Sequence, residues 1–482
     1  MSTSSPQNLL FIMSDQHNKH MVGCYGNRIV KTPAIDSLAE RGTRFKHAYC
    51  NSPVCVPSRA AMVSGDYAFR GGYWDNACGY GGESDSFATR LHQQGHAVTA
   101  IGKMHLRSDT PKTGFLDQRI PIHMINGEGD IYGCIRTKTI SRPQFYKTLA
   151  QAGPGETDYT RYDREVARLA AEFLQNEASG KDKPFVLYVG FVSPHFPLTV
   201  PQQYYDMYPL DMLSDPIESD EALWPHHPVL DDYRRYCHME EVPRSVRMNA
   251  LRTYLGMCSF LDDQVGRVLS ALCSAGLEDS TRVLYATDHG DTMGEHGLFY
   301  KSTMYEGSVG IPMIMAGPEV PSGKVSETAV SLIDVYPTVL HCVGATANEH
   351  DLKLPGESLL TIAQEETVRQ RTIFSEYHAF GVYTATCMVR TGKYKYVHYV
   401  GERPQLFDLE QDPAETVDLA ADEGHAEVLK AMEAELRSIA DPEELDRQAK
   451  AAQQAVLARY GGEAEFLRNF KPALFTPVPK GI

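Results

Sequence analysis

Five short apolar runs set the limits on what this chain can become. They are Leu9–Met13, Ala97–Ile101, Phe185–Phe191, Val283–Thr287 and Ile311–Met315. Continuous apolar runs of this length mark strands buried on both faces, as in a parallel sheet. The stretches between them carry helical spacing. Over Tyr162–Glu177 the apolar residues Val166, Leu169, Ala170 and Phe173 fall on one helical face, and Met248–Leu272 repeats the pattern with Leu251, Leu255, Leu261, Val265 and Leu269. Strands alternating with helices predict an α/β fold, a large and mostly parallel sheet flanked by helices. Its crossovers should be right-handed.

The last third changes texture. Thr372–Glu376, Cys387–Arg390 and Tyr394–Tyr399 read as shorter strands, Pro404–Pro413 as a strand end and turn, and charged helices follow near His425–Ile439 and Pro442–Arg459. The expected organisation is an α/β domain over residues 1–344, a smaller C-terminal α+β lobe over 345–460 and a tail over 461–482. The tail carries prolines and apolar residues without helical period. It reads either as disordered or as a segment that docks on a neighbouring subunit.

A chain of 482 residues is long enough for a large core. Its 46 Lys and Arg against 62 Asp and Glu give a net charge of −16, which argues against a nucleic-acid partner. Residues Met1–Gln7 lead straight into the first strand, without the basic and apolar regions of a secretory leader. No apolar run approaches the roughly 18 residues of a membrane span, so no membrane partner is expected. The ten cysteines lack a framework spacing, as in a reduced, cytoplasmic protein.

Four of the strands end in polar residues: Ser14-Asp15-Gln16-His17, Gly102-Lys103-Met104-His105, Ser193-Pro194-His195 and Asp288-His289-Gly290-Asp291. One Asp after a strand is usually a cap or turn residue, and one His is usually structural. Four such endings at one sheet edge, where open α/β sheets bind ligands, make a site. Asp15, Gln16, Asp288 and His289 offer mainly oxygen donors, which suits Ca²⁺, Mg²⁺ or Mn²⁺. Lys103, His105, His195 and Lys301 add positive charge. A divalent ion among cationic side chains suits cleavage of a small anionic ester.

Between the first two of these strands lies Ser52-Pro-Val-Cys55-Val-Pro57-Ser58-Arg59, running on to Gly65. Pro57 fits the first position of a helix that continues through Ser64. Cys55 then lies at or just before a helix N-terminus, which favours an anion. On chemistry alone Cys55 is either a thiol nucleophile or a buried structural residue.

Cys55-Val56-Pro57-Ser58-Arg59 resembles the C-x-P-S-R signature of the sulfatases, within the alkaline phosphatase superfamily, and Gly102-Lys-Met-His-Leu106 resembles their G-K-x-H-L motif. The resemblance covers nearly the whole chain and implies an alkaline phosphatase-like fold. It implies that a formylglycine-generating enzyme oxidises Cys55 to formylglycine. Asp15, Gln16, Asp288, His289 and the modified Cys55 would hold one divalent metal ion, Ca²⁺ first and Mn²⁺ as the alternative. Arg59 would orient the formylglycine, and Lys103 and His105 would contact it and the sulfate. His195 and Lys301 would bind sulfate oxygens, with His195 the proton donor to the leaving group and His105 the base. One hydroxyl of the hydrated aldehyde attacks sulfur, and loss of a proton from the other then releases sulfate.

Gln16 stands where many sulfatases have a second acid, and His289 where many have Asn. These departures resemble the branch of choline sulfatases and phosphonate monoester hydrolases. So do Tyr73–Ala77 with Asn76, Asp288–Lys301, Tyr305–Pro312 and Gln405–Pro413. That branch implies a cytoplasmic homo-oligomer, dimer or tetramer, with Asn76 at the substrate. Glu376 lies where the branch places substrate contacts; a structural partner for an arginine is the other reading. The expected function is hydrolysis of a choline sulfate-like, aryl or sugar sulfate to alcohol and inorganic sulfate. The alternatives are a phosphonate monoester or phosphodiester hydrolase with the same nucleophile, and a metal-binding protein in which Cys55 stays a thiol.

Overall fold

The computed structural model describes residues 5–180, 182–216, 220–470 and 475–482. Eight strands form the central sheet: β1 (Asn8–Asp15), β2 (Gly42–Phe45), β3 (Val98–Lys103), β4 (Asp117–Ile122), β5 (Val186–Pro194), β6 (Thr281–Thr287), β7 (Met313–Ala316) and β8 (Lys324–Ser326). Their spatial order is β8-β2-β7-β6-β1-β5-β3-β4. Neighbours are parallel except on the two sides of β7.

The strand expected at Ile311–Met315 is therefore antiparallel, not parallel. The chain leaves β6 at its carboxyl end and turns back through the short helix Glu306–Val309. It enters β7 from that same edge without crossing the sheet. Every residue of β7 is buried, so its composition imitates a parallel strand.

Alternation along β1 builds two cores. Leu10 and Ile12 face one layer, with Val166 and Phe173 of the helix Asp158–Asn176 and Leu261 and Val265 of the helix Arg244–Ser274. Leu9, Phe11 and Met13 face the other layer. That layer holds α1 (Cys55–Ser64) and a second, antiparallel sheet of β9 (Thr372–Tyr377), β10 (Thr386–Thr391), β11 (Tyr394–Tyr399) and β12 (Gln405–Asp408). Period two along the strand is what separates the sets. Helices α2 (Ala426–Ile439) and α3 (Pro442–Ala458) add Met432, Leu436 and Leu445 to this second core.

Helix α1 is buried along its whole length. It starts at Cys55, so Pro57 is its third residue and not its first. A first-turn N–H has no partner inside the helix, so proline is tolerated there as well. Gly65 closes the helix in the left-handed region, φ 72°, donating its N–H to the Ala61 carbonyl at 2.8 Å. A Cβ at this position would lie 2.7 Å from the Tyr336 ring. Gly65→Ala is expected to destabilise the protein by about 2 kcal/mol or more, from φ strain plus the clash. A urea midpoint equal to wild type would contradict this.

Part of the tail is helical. Glu463–Asn469 is a helix, α4, whose Phe466 packs with Cys134, Ile135 and Leu457 of the same chain. Seven residues are too few to show a period in sequence. Residues 471–474 of the tail lie outside the described residues. Among the described residues no helix is long and apolar enough to cross a membrane.

Candidate active site

Strands β6, β1, β5 and β3 are consecutive neighbours and all parallel. Their carboxyl ends therefore meet at one edge, and the four polar endings converge there. The N-terminus of α1 brings Cys55 to the same point.

Arg59 is the hub of the buried side. It has no exposed surface. Its Nε donates to Asp288 Oδ2 at 2.8 Å, Nη1 to the Lys103 carbonyl and Tyr188 Oη at 2.9 Å each, and Nη2 to Asp15 Oδ2 at 3.0 Å and the Ser14 carbonyl at 3.3 Å. All five guanidinium donors are used. Lys103 Nζ adds a contact to Asp15 Oδ2 at 2.8 Å. Burial alone would raise the Asp15 carboxyl, but Lys103, His195, Arg59 and Lys301 together hold it well below the usual range. Asp288 has fewer cations around it, and burial pushes it up to about 6.

Asp15, Cys55, Asp288 and His289 offer ligand atoms that all lie within 4.8 Å of one another. His289 Nδ1 donates to the Gly290 carbonyl at 3.0 Å, so its Nε2 carries the lone pair and faces Cys55 Sγ at 3.2 Å. A metal-binding imidazole is fixed in the same way, by the bond its other nitrogen makes. Gln16 is held in the left-handed region, φ 66°. Its Nε2 donates to Asp291 Oδ2 at 2.6 Å, while its Oε1 accepts from Lys301 Nζ at 2.7 Å. Two carboxylates, an imidazole lone pair and a nearby amide oxygen form a donor set that fits a hard divalent cation.

Cys55 Sγ meets Lys301 Nζ at 3.1 Å and Asp15 Oδ1 at 3.7 Å. The helix N-terminus does not activate it as a thiol. Burial, with Asp15 and Asp288 beside it, pushes the Cys55 thiol up to about 11 against the pull of Lys301 and Lys103. Asn76 Oδ1 accepts the first-turn N–H of Val56 at 3.1 Å, which ties the Asn76 loop to the start of α1.

Cys55, Asn76, Lys103, His105, His195 and Lys301 line one cavity of about 260 Å³. His195 Nδ1 donates to the Phe196 carbonyl at 2.6 Å, and its Nε2 lies 4.0 Å from Asp15 Oδ1. Burial first, then nearby lysines, keeps both His195 and His105 well below the usual imidazole range. Glu376 is not on this wall. Its Oε1 accepts the Phe69 N–H at 2.9 Å and its Oε2 pairs with His378 at 2.8 Å. The carboxylate is consumed inside the fold by partners other than an arginine.

Sequence reasoning missed several contributors. Asp291 anchors Gln16 and accepts the N–H groups of Met293 and Tyr300; its place in a polar strand ending was the available signal. Tyr188 lies inside the apolar run Phe185–Phe191, where nothing local marks its hydroxyl as a partner of Arg59. Phe475 and Thr476 line the cavity. Thr476 Oγ1 lies 3.2 Å from His105 Nε2, and the Thr476 carbonyl accepts the Tyr159 hydroxyl at 2.6 Å. Thr476→Val should lower kcat/KM about fivefold, the loss of one hydrogen bond of about 1 kcal/mol, with little change in melting temperature. Unchanged kinetics would show that this bond does not matter to the reaction.

Fold and site together define a hydrolase of anionic esters, with a candidate nucleophile at a helix start above a buried metal-ligand set. The chain belongs to the sulfatase family, whose model matches residues 7–345. A second model, N-sulphoglucosamine sulphohydrolase C-terminal, matches residues 294–442. The chain is 30% identical over 434 residues to a choline-sulfatase of Rhizobium meliloti, covering 87% of this chain and 83% of that one. It is 31% identical over 464 residues to arylsulfatase K of Bos taurus, covering 90% and 81%. A phosphonate monoester hydrolase of Agrobacterium radiobacter shares the fold, with TM-score 0.70, 23% identity and coverage of 90% and 95%. The protein is a sulfuric ester hydrolase.

Proposed function

We propose that the chain is a formylglycine-dependent sulfatase that converts a small sulfate monoester to its alcohol and inorganic sulfate. One observation carries this reading. Cys55 Sγ lies in the cavity wall among Lys301 Nζ at 3.1 Å, His289 Nε2 at 3.2 Å and Asp15. A formylglycine at residue 55 would supply, as its hydrate, two hydroxyls, one to take the sulfuryl group and one to expel it. Maturation then needs a formylglycine-generating enzyme as a partner.

Asp15, Gln16, Asp288 and His289 would hold the divalent ion, which supplies Lewis acidity to the centre. Oxygen donors favour Ca²⁺, and the imidazole makes Mn²⁺ the alternative. Arg59 keeps both carboxylates in place. Lys301 and Lys103 bring fixed positive charge to the oxygens of a bound sulfate. His195 is neutral with its Nδ1–H given to Phe196, so Nε2 presents a lone pair. The negative charge of a bound sulfate ester draws a proton onto it, and His195 can then protonate the departing alcohol oxygen. His105, whose Nδ1 has no partner among the described residues, is the candidate base for sulfate release.

A phosphonate monoester is the second reading, because it is a tetrahedral monoanion like a sulfate monoester and the same nucleophile and cations would serve it. Two measurements decide. The mass of the peptide containing residue 55, from protein matured in its native host, should show loss of sulfur. Parallel kcat/KM values should be higher for phenyl sulfate or choline sulfate than for a phenyl phosphonate monoester. An active native enzyme with unmodified Cys55, or a phosphonate as best substrate, would overturn the proposal.

A further inference from the structure

The cavity contains a buried cation that belongs to none of the strand ends. Arg142 lines the same cavity as Cys55 and is 2% exposed. A guanidinium carries five N–H donors. Asp130 accepts from Nη2 at 2.7 Å. Nε is buried and has no partner among the described residues, and no described acceptor takes Nη1. A buried donor left this way is costly, and this one belongs to a side chain that lines the cavity.

The surroundings of Arg142 also take two aromatic faces out of use for a substrate. Its guanidinium carbon lies 4.6 Å from the centre of the Tyr132 ring and 5.4 Å from that of Phe380. Aromatic faces of this kind are what a quaternary ammonium needs. Here the protein's own cation, paired with Asp130, already occupies these two rings. The remaining wall combines aromatic rings, Phe145 and Phe196 among them, with the amides of Asn76 and Asn126 and the carboxylates of Glu128 and Asp130.

We propose that Arg142 recognises a second anionic group, a carboxylate or a second sulfate, on the alcohol part of the sulfate ester. The preferred substrate is then an organic sulfate bearing two anionic groups. Both anions accept charge-assisted hydrogen bonds from a guanidinium. This inference rests on the sulfatase reading of the same cavity.

The test uses the full-length matured enzyme with phenyl sulfate, meta-carboxyphenyl sulfate, resorcinol disulfate and choline sulfate. At least one doubly anionic ester should exceed phenyl sulfate in kcat/KM by about tenfold, and the two arms tell carboxylate from sulfate. Arg142→Gln should bring that ratio close to one. If that variant does not fold, Asp130→Asn/Arg142→Gln removes both members of the ion pair and takes its place. A ratio at or below one in the wild type, a ratio that survives the substitution, or choline sulfate as best substrate would overturn the inference. If no sulfate ester is turned over, the sulfatase reading has failed on its own. Calorimetry then judges Arg142 directly, with phenylmethanesulfonate and its meta-carboxy derivative as unreactive probes. About tenfold tighter binding of the carboxy probe, lost in the variant, supports the inference, and equal binding of the two overturns it.

Discussion

Replacing Cys55 with alanine is expected to lower turnover of every sulfate ester by about four orders of magnitude or more, because the proposed nucleophile is then gone. Lys301, Lys103 and His195 remain, so substrate binding should weaken far less than turnover. The fold should survive. Residue 55 remains the first residue of α1, and the variant loses one buried sulfur, at a cost of about 1 kcal/mol. The check pairs kcat on the best sulfate ester with the melting temperature of the same sample. A Cys55→Ala enzyme that keeps a tenth of wild-type turnover would mean the nucleophile lies elsewhere. A variant that is inactive because it is unfolded would show in the melt and leave the kinetic question to Cys55→Ser.

Arg59→Met should give the largest loss of stability, about 3–5 kcal/mol. The substitution keeps much of the volume but removes every donor from a fully buried site. Asp15 and Asp288 are then left with the Lys103 contact to Asp15 as their main compensation. Two backbone carbonyls, those of Ser14 and Lys103, lose an acceptor role at the strand ends. Tyr188 Oη still donates to the Lys103 carbonyl at 2.9 Å, so part of that loss is covered. Arg59→Lys should recover only a fraction, since one ammonium with three donors cannot reach acceptors spread around a planar fork. The urea midpoint measured in a chelating buffer isolates this term from any metal. A midpoint within about 1 kcal/mol of wild type would show that the carboxylates tolerate one another without Arg59.

Some of the architecture is written in short stretches of sequence. A strand buried on both faces shows as an apolar run wherever it lies, and so β1, β3, β5 and β6 were legible with ends accurate to a few residues. A helix with one buried face shows its period over about five turns, as Asp158–Asn176 does. The C-x-P-S-R run and the four polar strand ends are equally local. They named Asp15, Gln16, Cys55, Arg59, Lys103, His105, His195, Asp288 and His289, which the fold brings around one cavity edge.

What remained hidden depends on contacts between distant residues. The direction of β7 follows from where the chain turns after β6, which its composition does not record. Glu376 had the chemistry of a ligand, yet the Phe69 N–H and His378 reach it first. Arg142 and Thr476 carry no motif, and their meaning comes from a cavity assembled by segments hundreds of residues apart. By itself, then, the sequence determined the strands, the helix that presents Cys55 and the kinds of group at the site, because each is encoded in neighbouring residues. Only the tertiary structure decided which donors are spent inside the fold and which face a substrate, because a hydrogen bond is allotted by distance in space.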